Sequence, residues 1–147
     1  MRDRILRIGL AYLTISVAVI GFWATFAPRS FYTDFPVGGR HWISADGPYN
    51  QHLVRDVGEL NLALFVVLAA ALISLSLPLV RAALVASIVN GGLHVIYHAR
   101  HLDLFPTSDG AAVMVSLALA PLVAAALLVL TKPSASVPTV DPGEGSA

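Results

Sequence analysis

Four long apolar runs, separated by short polar intervals, dominate the chain. The first, residues 5–26, carries no charge after Arg7, and at about 1.5 Å per residue it can cross a hydrocarbon core of about 30 Å. The second, residues 60–79, closes on Leu-Pro-Leu-Val, and Arg81 separates it from the third, residues 82–101. Pro78 and Arg81 leave space only for a tight helical hairpin. The fourth, residues 111–130, contains Pro121, a residue tolerated in mid-helix inside a bundle. This pattern predicts an all-α fold, an integral membrane four-helix bundle over residues 1–130. Arg2, Arg4 and Arg7 also resemble the start of a secretory signal, but Ala-Thr-Phe-Ala followed by Pro28 lacks the Ala-x-Ala cleavage pattern, so the first run reads as an anchor. Residues 131–147 hold three prolines and little apolar bulk, and read as a disordered tail.

Residues 27–49, between the first two spans, are rich in Pro, Gly and aromatics: Phe31, Tyr32, Phe35, Trp42 and Tyr49. They predict a long aromatic-rich loop that either rests at the membrane interface or plugs the top of the bundle. Asp46-Gly47-Pro48 signals a turn, and Asp46 or Asn50 can cap a helix that begins about ten residues before its apolar run. Asp34, Arg40, His41, Trp42 and Asp46 are candidates for a lid.

Composition agrees with a bilayer environment. Hydrophobic residues make up 56% and charged residues 12%, against about 25% charged in an average soluble domain. Nine basic residues balance nine acidic ones, so nothing favours nucleic acid as a partner. There is no cysteine, so any metal must be held by His, Asp or Glu. Three arginines within the first seven residues place the N-terminus in the cytoplasm and the chain in the plasma membrane. On that topology the cytoplasmic side holds five basic and three acidic residues, and the outer side four basic, six acidic and all five histidines. No Gly-x-Ser-x-Gly elbow, phosphate loop, dinucleotide fingerprint or His-Glu-x-x-His motif occurs.

Two polar stripes stand out. His52, Asp56 and Glu59 share one face of the second helix by their i, i+4, i+7 spacing, with Arg55 beside them. His94, His98 and His101 repeat the spacing in the third, with Asn90 and Tyr97 at its margins. Counting outward from a turn at Pro78 to Arg81 sets Glu59 level with Arg100, between His98 and His101, so carboxylates and imidazoles converge at the outer rim if helix rotation permits. Asp56, Glu59, His94, His98 and His101 are then candidate ligands for iron or zinc in a two-His, one-carboxylate set. Glu59, His98 and His101 are candidate catalytic groups for proton transfer, and Arg55 or Arg100 can orient an anionic group. The plainer alternatives are an amphipathic interfacial set of histidines and an Arg55–Glu59 pair one turn apart. Asn90, near mid-membrane, calls for an interhelical hydrogen bond, and Gly91 and Gly92 permit close packing.

The run Phe31-Tyr-Thr-Asp-Phe-Pro, with Gly39-Arg-His-Trp, Gly47-Pro-Tyr-Asn-Gln-His-Leu-Val-Arg-Asp-Val-Gly and His94-Val-Ile-Tyr-His-Ala-Arg-His-Leu-Asp, resembles a group of small actinobacterial membrane proteins of unassigned activity. In size and number of spans the chain is similar to DoxX-like four-helix membrane proteins. The resemblance implies a four-helix membrane bundle and carries no catalytic residue with it. Two functions fit: a rim site that binds a metal or a small ligand for redox or proton-transfer chemistry, and a non-catalytic accessory or scaffold subunit that docks a membrane-protein partner or another copy of itself. Ion translocation is weaker, because Asn90 is the one strongly polar residue near mid-membrane.

Overall fold

A computed structural model describes residues 1–131. It contains α1 (Arg2–Phe26), α2 (Pro28–Asp34), α3 (Gln51–Ser74), α4 (Leu77–Ala99) and α5 (Thr107–Leu130), with single 3-10 turns at Ser44–Asp46 and Leu102–Leu104. The expected tail lies, beyond Thr131, outside the described residues. Four helices, α1, α3, α4 and α5, are long and apolar enough to cross a membrane. Only 17% to 33% of their most apolar stretches is buried, while Ile15, Val19, Val66, Ile73, Leu122 and Val129 are exposed. A helix set as oily outside as inside has the character of a membrane protein.

The four helices run alternately up and down in the ring order α1, α3, α4, α5, with α5 closing back on α1. Leu10, Leu13, Leu68, Val80, Leu84 and Leu127 fill the interior. Glycines set two of the seams. A Cβ at Gly58 would lie 2.6 Å from the Thr25 backbone nitrogen, so α3 approaches α1 there closely. A Cβ at Gly91 would lie 2.9 Å from Pro121 Cδ, so α4 receives the α5 proline ring in the same way. Gly92, by contrast, faces open space.

The hairpin turn differs from the sequence expectation. Leu75 adopts the left-handed conformation (φ 49°) and Ser76 occupies the N-cap position of the next helix without a side-chain capping bond, so the turn is Leu75-Ser76 and Pro78 sits in the first turn of α4. Proline lacks an N–H that the first helical turn does not use, so it starts the third span instead of ending the second. Equal counting from this turn sets Glu59 opposite Gly92, about 9 Å along the axis from His98.

The long aromatic-rich loop is also corrected. Ala27 interrupts the chain for one residue, and Pro28 in a first helical turn begins α2, so the segment after the first span is a helix adjacent to α1. Phe31 is buried against Ala24 and Val54, with Trp23, Phe35, Ile43 and Tyr49 around them. These aromatics form a small second core at one end of the bundle. Asn50 caps α3, its side-chain oxygen accepting from the Leu53 N–H at 3.2 Å, as the early helix start requires.

At the opposite end, which carries Arg2, Arg4 and Arg7, Arg81 Nη2 donates to the carbonyl of Thr131, the residue that follows α5, at 2.6 Å and ties the end of α5 to α4. Thr131 is buried, so Arg81→Met leaves that carbonyl unpaired. The expected cost is about 1–3 kcal/mol, seen as faster hydrogen exchange over residues 127–131; unchanged exchange would count against this tie.

Candidate functional site

The other end is capped, and its chemistry is organised by α4. His98 points inward at 9% exposure, while His94 and Tyr97 remain exposed. The His98 ring meets His94 edge-on at 4.7 Å and Phe105 at 5.7 Å between centroids. Its Nδ1 is buried and has no hydrogen-bond partner among the described residues. Tyr97 stacks on His101 at 4.3 Å and donates its hydroxyl to Asp46 Oδ1 at 2.9 Å. His101 Nδ1 lies 2.8 Å from the Tyr97 carbonyl, so its N–H closes the end of α4.

The segment after α2 forms the cap. Trp42 donates its indole N–H to Asp109 Oδ2 at 3.0 Å, reaching the first turn of α5. Arg40 stacks over Trp42 at 5.8 Å and stands 4.0 Å from the same carboxylate. Tyr32 donates to the Gly47 carbonyl at 2.6 Å and holds the strand of chain that carries Asp46. The lid reading thus applies to Arg40, Trp42 and Asp46, which bridge to α4 or α5. Asp34 instead accepts from Ser30, and His41 lies against the Thr33 carbonyl, both within the cap.

The carboxylates and imidazoles named from the sequence do not converge. Gly58 and Val54 turn toward α1, and Glu59, one residue or about 100° further round α3, is exposed on the outside of the bundle. With Asp56 and Leu60 it lines an open hollow of about 350 Å³. His52 is exposed and stands 3.3 Å from Asp56 on the same helix, and Arg55 and Arg100 are exposed. Among the described residues no three His, Asp or Glu side chains are placed to share a metal ion. The iron or zinc set of Asp56, Glu59, His94, His98 and His101 is therefore not assembled.

What the structure does bring together is His94, His98, Tyr97 and Asp46, while Trp42 joins the cap to Asp109 of α5. Asp109 and Phe105 carried no sequence signal, because nothing in a local pattern tells that Asp109 meets Trp42 or that Phe105 meets His98. No protein-family model, curated protein or solved structure matches the chain.

Proposed function

We propose that this is a multi-pass membrane protein whose capped end binds a small polar or amphipathic molecule at the His98 cluster. The observation that carries this reading is the buried Nδ1 of His98, which has no partner among the described residues although its ring is packed between His94 and Phe105. Leaving such an atom without a partner costs about 1–3 kcal/mol, a penalty a bound hydrogen-bonding group removes. Imidazole, phenol and carboxylate side chains side by side supply both donors and acceptors, so the ligand chemistry includes proton transfer. The arginine-rich end supports a cytoplasmic N-terminus in the plasma membrane, which turns the capped end outward.

His98→Leu tests this reading. Leucine is apolar and of similar volume, so folding stability is expected to stay within about 1.5 kcal/mol. Small molecules extracted from protein purified in mild detergent are expected to include a species enriched in the wild type and reduced at least about tenfold in the variant, the equivalent of about 1.4 kcal/mol. Equal content in both proteins, or none in either, sinks the proposal.

A further inference from the structure

Two stripes of residues show where the second hairpin opens. On α4, positions 83, 87, 90, 94 and 97 follow the four-three spacing of one helical face. Ala83 and Ser87 on it are buried, at 0% and 7% exposure, whereas Asn90, His94 and Tyr97 are exposed. On α3 the facing stripe behaves alike: Ala71 and Leu68 are fully buried, Leu64 is half-buried, and Leu60, Val57 and Leu53 are exposed at 71%, 41% and 61%. The helices touch near the Leu75-Ser76 turn and part beyond Ser87. The cause is their other partners: Gly58 draws α3 onto α1, and Gly91 draws α4 onto α5.

The result is a wedge-shaped cleft that opens sideways and is bridged at its top by the Tyr97 to Asp46 hydrogen bond. Its walls differ in chemistry. The α3 wall presents the hydrocarbon of Leu53, Val57 and Leu60, with the Asp56 and Glu59 carboxylates beyond Leu60, while the α4 wall presents Asn90, His94 and Tyr97 over about 10 Å of helix. Side-chain hydrogen bonds on α4 come from Arg81, Ser87 and Tyr97 among the described residues, and Asn90 and His94 make none. Asn90 is flanked by exposed Val89 and Leu93, and an amide in hydrocarbon is stabilised only by a hydrogen-bonding neighbour.

We propose that this cleft binds an uncharged lipid of the diacylglycerol type, admitted sideways from the bilayer, with its hydroxyl and ester groups on Asn90 and His94 and its chains along Leu53, Val57 and Leu60. The lack of a basic side chain on either wall, with the Asp46 carboxylate at the top, selects against phosphate or carboxylate headgroups. This assignment rests on the capped end being a ligand site and names the class of ligand that reaches it.

The test uses the full chain in phosphatidylcholine nanodiscs with photoactivatable diacylglycerol or photoactivatable phosphatidic acid. Diacylglycerol is expected to label residues 53–60 and 90–97 about tenfold more than phosphatidic acid does, and Asn90→Leu with His94→Leu is expected to bring it down to the phosphatidic acid level. Equal labelling by both lipids, labelling spread evenly onto α5, or a crosslink joining α4 of two copies each overturns the proposal, the last by showing that a second copy fills the cleft. If cleft labelling fails while His98→Leu still loses its co-purified molecule, the His98 site stands and only the lipid assignment falls.

Discussion

Gly58→Ala is expected to lower the melting temperature of the protein by about 5–10 °C, corresponding to at least about 2 kcal/mol of overpacking. The added methyl would lie 2.6 Å from the Thr25 nitrogen and 3.0 Å from the Ala24 carbonyl carbon. Both are backbone atoms, so no rotamer change relieves the clash and α1 and α3 must separate. Gly92→Ala is the matched control, since its methyl meets nothing within 4 Å. Alanine is favoured over glycine in a helix by about 1 kcal/mol, so that variant should keep or raise the melting temperature. A Gly58→Ala protein that melts with the wild type would show that the α1–α3 seam is looser than described.

Trp42→Ala is expected to release the cap. The indole contributes a hydrogen bond to a carboxylate whose side chain is only 19% exposed, a type worth about 1.5–3 kcal/mol, and it packs on Phe35 at 6.4 Å. Losing both should raise hydrogen exchange across residues 36–49 by at least about tenfold, since that factor needs only about 1.4 kcal/mol. Trp42→Phe keeps the ring and deletes the N–H, so it separates the two contributions. It should give an intermediate effect, because among the described residues the Asp109 carboxylate then retains only the distant Arg40 guanidinium at 4.0 Å. Exchange in both variants at the wild-type rate would mean that Trp42 does not hold the cap.

Much of the helical architecture could be read from the chain because apolar runs bounded by polar residues are local signals. The early start of α3 was legible in the same way, through Asn50 as an N-cap. Proline was the ambiguous signal. Pro78 reads as the end of one helix, yet it opens the next, and Pro28 similarly opens α2 where a loop was expected. The residue serves both uses, since what it lacks is a donor that neither a loop nor a first helical turn requires. The two polar stripes were visible from their spacing, but their rotation was not. Glu59 lies outside because Gly58 beside it faces α1, and His98 lies inside beneath Phe105.

The sequence by itself determined the number of long apolar helices, the oily exterior they present and the sets of residues that share one face of each. Tertiary structure alone decided which faces meet: that Asp56 and Glu59 turn away from the histidines, that Asp46 and Asp109 anchor a lid, and that α3 and α4 part beyond Ser87. The physical reason is that periodicity belongs to a single helix. Rotation and splay between helices follow instead from close contacts such as Gly58 on Thr25 and Gly91 on Pro121, whose partners lie far apart along the chain and leave no mark in either local pattern.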